Sequence, residues 1–274
     1  MVMDQGRQAR GRRVARGTGV GAPMSGMDAP AESGRTGRAR AAIGGVAPDT
    51  VREVVDTLLV AEQLLVTFYY AGLTRPPVMR DHRLGGPSAD PNNPGLPPGG
   101  IPRNVRFLQA ALDAEVKHAA AAGSAAATAG RPGFYFPAAT FARLGSPAEE
   151  GSFLGVLDTL ETMCVGVYIA AARQFLRVGR PDLARVATQI MGVEAEHRML
   201  GRAIGATRPA NNLTLEPAPY TSVGGASEVL RPFVTGRGFP AGKTLAVAVP
   251  TAAQANRMIG RNRTRFVARF RVDV

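Results

Sequence analysis

Two Glu-x-x-His motifs lie on the apolar faces of predicted helices, and they constrain the fold more than any other feature of the chain. Glu115 and His118 stand in LQAALDAEVKHAAAA, and Glu194 and His197 stand in GVEAEHRMLGRAIG. The two motifs use two of only three histidines in 274 residues. Residues three apart on a helix share one face, with Cβ atoms about 5–6 Å apart. Each motif therefore directs a carboxylate and an imidazole into the same interior volume.

Apolar residues recur with helical spacing in four long segments. These predict helices over about 51–70, 103–122, 147–178 and 181–204. We expect Asp49 or Thr50 to cap the first helix and Pro147 to open the third. The connections 74–102 and 125–146 are rich in Pro and Gly and predict long loops. The predicted fold class is all-α, a four-helix bundle with long crossover loops.

The first and third predicted helices each add a glutamate to their apolar stripe, Glu62 and Glu161. The order along the chain is Glu, Glu-x-x-His, Glu, Glu-x-x-His, which is the ligand order of dinuclear iron and manganese carboxylate bundles. Four buried carboxylates would repel one another, whereas two divalent cations would balance them. Oxygen-rich ligands with two imidazoles favour iron or manganese, with zinc as a further option. The alternative is a metal-free bundle that retains the ligands of an ancestor.

Four further residues lie near these stripes. Tyr69 and Tyr168 follow Glu62 and Glu161 by seven residues, and each is a candidate hydrogen-bond donor to a metal ligand, a radical quencher or a core aromatic. Cys164, one turn after Glu161, is a candidate neighbour of the metal ions or a small core residue. Asp158 is a candidate carboxylate for orienting a ligand histidine. No catalytic base or nucleophile separate from the metal ligands is evident.

The formal net charge of +12 is concentrated in the tails, because residues 1–40 and 257–274 each carry +5. Residues 1–47 are nearly free of large apolar side chains and predict a disordered basic arm. We expect the bundle over 48–206, followed by an irregular C-terminal extension with a basic tail over 207–274. Within that extension, KTLAVAVP is a candidate strand and SEVLRPFV and TAAQANRMIG are candidate short helices. The single cysteine excludes a disulfide framework.

The sequence predicts neither a membrane span nor an export signal. No window approaches the ~20 apolar residues that a membrane span needs. The basic start GRRVARGTGVG is not followed by the ~7–15 apolar residues of a signal peptide. The sequence as written predicts a cytoplasmic protein without a membrane partner, and a different true N-terminus would allow twin-arginine export.

The chain resembles the ferritin-like domain proteins that include the desiccation-related proteins of plants and bacteria. The matching stretches are LLVAEQLLVTFYYAGL, FLQAALDAEVKHAAAA, FYFPAATF, FLGVLDTLETMCVGVYIAAARQF and VATQIMGVEAEHRML. The resemblance implies that Glu115 and Glu194 bridge two metal ions. It also implies that the remaining ligands are terminal, with Glu62 beside His118 and Glu161 beside His197, although the pairing within each metal stays open.

Three functions remain open on this basis. The first is a di-metal oxidoreductase that reacts with O2 or H2O2, as a ferroxidase, peroxidase or catalase-like enzyme in oxidative or desiccation stress. The second is a non-enzymatic stress-protective or metal-storage protein. Association with nucleic acid through the Arg-rich tails ranks third, because aromatic residues are scarce there. A homo-oligomer is compatible with each of the three.

Overall fold

Four long helices form the body of the protein, as the apolar periodicity predicts. A computed structural model describes residues 49–84, 102–123, 133–239 and 243–265. Its elements are α1 (Val51–Thr74), α2 (Pro76–Met79), α3 (Pro102–Gly123), β1 (Gly133–Pro137), α4 (Phe153–Arg177), α5 (Pro181–Ile204), α6 (Val223–Thr235), β2 (Thr244–Ala248) and α7 (Ala252–Ile259). The predicted arm 1–47, residues 85–101 of the first predicted loop, residues 125–132 of the second and the tail 266–274 lie outside the described residues.

The long helices pack as two pairs, α1 with α3 and α4 with α5. Contacts between α1 and α4 and between α3 and α5 join the pairs into a bundle. The apolar stripes meet in one continuous core, which includes the fully buried Leu64, Leu112 and Leu160. This arrangement confirms the all-α fold class, and the strands add only a small antiparallel pair.

The start of α4 differs from the prediction. The helix begins at Phe153, six residues after Pro147, because the intervening chain makes turns. Gly145 and Gly151 have positive φ angles of 67° and 74°, which a helix does not accommodate. Ser152 then caps the helix by accepting a hydrogen bond from the backbone N–H of Gly155. The Ser152 cap, and not Pro147, therefore sets where α4 starts.

Asp49 and Thr50 cap two different helices. Thr50 is the N-cap of α1 and forms a capping box with Glu53. The Asp49 carboxylate instead accepts hydrogen bonds from the backbone N–H groups of Val223 and Gly224, in the first turn of α6. This contact ties the C-terminal extension to the start of the bundle.

The two strands join a predicted loop to the C-terminal extension. Segment GFYFP forms β1, which pairs antiparallel with β2 so that Gly133 faces Ala248 and Pro137 faces Thr244. The predicted strand and both predicted short helices of the extension are present as β2, α6 and α7. Helix α6 packs on α1 and α4, and α7 packs on α3. The extension thus packs on three of the four long helices, α1, α3 and α4.

Helices α1 and α4 are long and apolar enough to cross a membrane, so the expectation of no such window is wrong by length and composition. However, 72% of the apolar window in α1 and 78% of that in α4 is buried inside the protein. An all-round apolar helix is expected where a bundle surrounds it. Burial in the core therefore accounts for the apolar character of both helices.

Candidate metal centre

Each long helix contributes acidic or imidazole side chains to one buried cluster. Glu62 comes from α1, Glu161 from α4, and the two Glu-x-x-His motifs come from α3 and α5. All four glutamates are fully buried. The side chains of His118 and His197 retain 12% and 10% exposure. All six side chains singled out in the sequence are thus directed to the interior of the bundle.

His118 lies at the centre of one half of the cluster. Its Nδ1 atom is 3.0 Å from Oε1 of Glu194, 3.5 Å from Oε2 of Glu115 and 3.5 Å from Oε2 of Glu62. One ligand atom from each of these four residues lies within 4.8 Å of every other. This spacing would allow a single cation to contact all four.

His197 occupies the corresponding place in the second half. Its Nδ1 atom is 2.6 Å from Oε1 of Glu115, 3.4 Å from Oε2 of Glu194 and 4.0 Å from Oε1 of Glu161. These four residues also offer ligand atoms within 4.8 Å of one another. The cluster therefore has two adjacent groups of three carboxylates and one imidazole.

Glu115 and Glu194 belong to both groups, and each divides its two oxygens between them. Oε2 of Glu115 and Oε1 of Glu194 face His118, whereas the other oxygen of each faces His197. A carboxylate with one oxygen toward each of two cations is a bridging ligand. The geometry thus matches the roles that the family resemblance implies, and those roles remain predictions.

Eight cluster atoms are buried without a hydrogen-bond partner among the described residues. They are Oε2 of Glu62, both oxygens of Glu115, Nδ1 of His118, Oε2 of Glu161, both oxygens of Glu194 and Nδ1 of His197. Buried polar atoms are nearly always paired, so such a concentration needs an explanation. Several of these oxygen and nitrogen atoms lie close together, but the angles between them do not satisfy hydrogen-bond geometry. Lone pairs directed at common points fit cations, and two divalent ions would balance the four carboxylates.

Two tyrosines hold the outer oxygens of the terminal glutamates. The hydroxyl of Tyr69 on α1 donates to Oε1 of Glu161 on α4 at 2.5 Å. The hydroxyl of Tyr168 on α4 donates to Oε1 of Glu62 on α1. Each tyrosine thus reaches the glutamate of the opposite helix, because seven residues along its own helix is about 10 Å. Tyr69 and Tyr168 thus each donate a hydrogen bond to a candidate metal ligand.

Electrostatics in the cluster reflect strong desolvation. Burial, reinforced by the neighbouring carboxylates, raises the pKa of Glu62 and of Glu161 well above the usual range. Burial opposes the charged form of His118 and His197, but the surrounding carboxylates raise the pKa of both well above its usual value. Burial alone would raise the pKa of Glu115, but the combined attraction of His197 and His118 outweighs this effect and lowers the pKa below its usual range. The raised pKa values favour the protonated forms of Glu62, Glu161, His118 and His197 when no metal is bound.

Asp158 and Cys164 have different surroundings. The prediction that Asp158 orients a histidine is wrong, because its two oxygens accept hydrogen bonds from Arg202 at 2.6 and 3.2 Å. That ion pair links α4 to α5 at the edge of the bundle. Cys164 is fully buried, and burial together with the glutamate charges raises the pKa of its thiol well above the usual value. It behaves as a neutral core residue close to the cluster.

Sequence reasoning missed an apolar cavity beside the cluster. It reaches His118 and Tyr168 and is otherwise lined by apolar side chains from all four long helices. Small residues on two helices, Ala122 and Ala187, leave room that larger side chains would fill. Alanines are abundant throughout these helices, so only the packing distinguishes these two.

One of three comparisons with known proteins assigns the chain to a family. A family model described as a ferritin-like domain matches residues 50–205, which is more than half of the chain. The matched range covers α1 to α5 and therefore every residue of the cluster. No curated protein and no solved structure matches the chain.

Proposed function

The chain belongs to the ferritin-like domain family, and we propose that its buried cluster binds two divalent metal ions, iron or manganese, that react with O2 or H2O2. The observation that carries this proposal is the division of the Glu115 and Glu194 oxygens between the two histidines. A single-ion site would not require two carboxylates shared in this way. The buried carboxylate oxygens that have no hydrogen-bond partner among the described residues add support.

The residues would divide the work of holding the pair. Glu62 and His118 would hold one ion, Glu161 and His197 the other, and Glu115 and Glu194 would bridge them. Tyr168 and Tyr69 each bond one oxygen of a terminal glutamate, so the second oxygen stays directed into the cluster. Outer hydrogen bonds of this kind orient metal ligands and fix their geometry.

Two bound ions would each supply one electron, which with two protons reduces O2 to H2O2 or H2O2 to two water molecules. The chain itself contributes a buried, largely water-free environment around that reaction, because all four glutamates are fully buried. The raised pKa values of Glu62, Glu161, His118 and His197 favour their protonated forms without metal, and metal binding would release these protons.

Anaerobic loading tests the proposal. Purified protein is incubated with Fe(II) or Mn(II), freed of excess ion and analysed for metal per chain. The iron form is then exposed to O2, and both forms are exposed to H2O2. Ferric absorbance measures oxidation of the iron, and the loss of H2O2 measures peroxide consumption. We expect two ions per chain and oxidation by at least one oxidant. The control is the double variant Glu115→Ala and Glu194→Ala, which removes both shared carboxylates and should bind no pair.

A purely structural role for the metals is the main alternative. It predicts two ions per chain and a higher melting temperature, with neither oxidant consumed. Metal stoichiometry with no turnover would therefore contradict the oxidoreductase and favour a stress-protective or storage protein. A role in oxidative or desiccation stress is supported by the resemblance of the bundle segments to desiccation-related proteins.

Nucleic-acid binding has one structural observation in its favour. A surface groove is lined by Arg106, Phe107, Arg261 and Arg263, and Phe107 is 49% exposed. Arginines beside an exposed aromatic ring suit single-stranded nucleic acid. Binding of an oligonucleotide that weakens steeply with salt would support this role. Binding that is absent, or that persists unchanged at high salt, would exclude it.

A further inference from the structure

The apolar cavity beside the cluster approaches one half of it. It has a volume of about 30 Å³ and ends against His118 and Tyr168. Both residues contact Glu62. The hydroxyl of Tyr168 donates a hydrogen bond to Glu62, and Nδ1 of His118 lies 3.5 Å from Oε2 of Glu62. The rest of the wall is apolar and includes Val55, Leu58, Ala122, Phe175, Ala187 and Ile190.

Size limits what the cavity can hold. A water molecule needs a cavity of about 10–15 Å³, whereas one of about 150 Å³ admits benzene. At about 30 Å³ the present cavity has room for a molecule of two or three heavy atoms. The cavity is partly open to its surroundings, and an aromatic ring or an acyl chain would project out of it. The ligand class is therefore a very small molecule.

Polarity selects among such molecules. Water and H2O2 would give up hydrogen bonds on entry, and the apolar wall offers few replacements. The hydroxyl of Tyr168 already donates its hydrogen bond to Glu62, and Nδ1 of His118 faces the carboxylates. A molecule without hydrogen-bonding groups has nothing to lose there. An apolar diatomic gas meets both requirements.

We propose that this cavity binds O2 and delivers it to the His118 and Glu62 half of the cluster. The inference rests on the proposed function and narrows its oxidant to O2. H2O2 would have to reach the cluster by another route, so cavity substitutions should separate the two oxidants.

Xenon binding tests the cavity without reference to activity, since xenon occupies dry apolar cavities. The metal-loaded protein is titrated with xenon and followed by its 129Xe chemical shift. Ala187→Leu, on α5, adds three carbons to the wall of the cavity. Ala184→Leu is the matched control, because Ala184 is equally buried on the same helix but does not line the cavity. Ala121→Leu, at a half-buried lining position, serves if Ala187→Leu does not fold.

The proposal expects saturable xenon binding in the wild type and in Ala184→Leu, and its loss in Ala187→Leu or Ala121→Leu. It also expects the lining variant to lose rate with O2 while keeping its rate with H2O2. Equal rates with O2 in the lining and control variants, or parallel losses with both oxidants, would overturn it. If the protein binds xenon but takes up no metal, the cavity is present and the proposed function is wrong.

Discussion

The hydroxyl of Tyr69 donates a hydrogen bond of 2.5 Å to Oε1 of Glu161, across the interface between α1 and α4. The equivalent bond from Tyr168 to Glu62 crosses the same interface in the opposite direction. Tyr69 and Tyr168 each follow the glutamate of their own helix by seven residues, so this exchange requires α1 and α4 to run antiparallel. The two bonds couple the position of each terminal carboxylate to the packing of the partner helix.

Replacing Tyr69 with Phe should weaken metal binding without unfolding the bundle. The change leaves Oε1 of Glu161 without its donor and lets the carboxylate rotate. Loss of such an outer hydrogen bond costs about 10–100-fold in metal affinity. Competition with a chromophoric chelator measures the change. Tyr70→Phe removes the same hydroxyl one residue further along α1, outside the cluster, and should keep wild-type affinity; an equal loss in both variants would contradict this role.

Metal stoichiometry should distinguish shared from terminal glutamates. Glu62 belongs to one of the two ligand groups, whereas Glu115 belongs to both. Glu62→Ala should therefore retain one ion per chain, and Glu115→Ala should lose most of both. Elemental analysis of the purified, loaded variants gives the ratio. Identical stoichiometry for the two variants would argue against a bridging role for Glu115.

The metal-free protein should lose stability as the pH rises. The folded state raises the pKa of Glu62 and Glu161 above the ordinary glutamate value of 4.5, and the pKa of His118 and His197 above the ordinary histidine value of 6.5. It therefore holds protons that the unfolded chain releases, and this stabilisation is present at low pH and lost as the pH rises through the folded values. The lowered pKa of Glu115 acts only below its ordinary range of about 4.5.

We expect the melting temperature of chelator-treated protein to fall as the pH rises above about 4.5, the ordinary pKa of a glutamate, because unbalanced carboxylates then develop in the core. Bound metal replaces the protons and should remove this slope. Thermal unfolding followed by circular dichroism, with and without metal, measures both. A melting temperature that rises over this range without metal would show that the cluster does not govern the pH dependence.

Gly72 allows the close approach of α1 to α4. A Cβ atom at this position would lie 2.2 Å from Cε2 of Phe153, whose ring stacks on Phe68 with 4.7 Å between centroids. Gly72→Ala should destabilise the protein by about 1–3 kcal/mol through overpacking. Gly192→Ala, on α5, meets no atom within 4 Å and should stabilise it by about 0.5–1 kcal/mol. Urea denaturation measures both, and equal signs would contradict this interpretation.

Asp113 fastens the chain after α7 to the bundle. Oδ2 of this buried carboxylate accepts hydrogen bonds from Lys117 at 2.6 Å and from the backbone N–H and hydroxyl of Thr264 at 2.7 and 2.8 Å. Asp113→Ala should free this segment and cost about 1.5–3 kcal/mol for hydrogen bonds to a charged group. Limited trypsin digestion should then cut faster at Arg261 and Arg263.

The control for that experiment is Asp182→Ala. Asp182 pairs with Arg180 on the surface, with a side chain that is 53% exposed, and exposed ion pairs contribute about 0–1 kcal/mol. Its digestion pattern should match that of the wild type. Unchanged cleavage in Asp113→Ala would show that other contacts of the extension suffice.

Helical periodicity alone predicted the helices that carry the cluster, since each Glu and His shares the spacing of the core residues. Prediction from the sequence was less accurate where contacts between distant residues determine the structure. Strand β1 depends on pairing with β2, more than a hundred residues away. Asp158 is paired by Arg202 on the neighbouring helix, which its own helix does not reveal.

The sequence by itself determined which side chains face the interior of the bundle, because a helix fixes the direction of residues three and four positions apart. Only the tertiary structure decided which oxygen of Glu115 faces which histidine, which tyrosine bonds which glutamate, and where alanines leave a cavity. Those relationships depend on the rotation and offset of one helix against another. Packing among side chains distant in sequence sets these parameters, and local spacing carries no record of them.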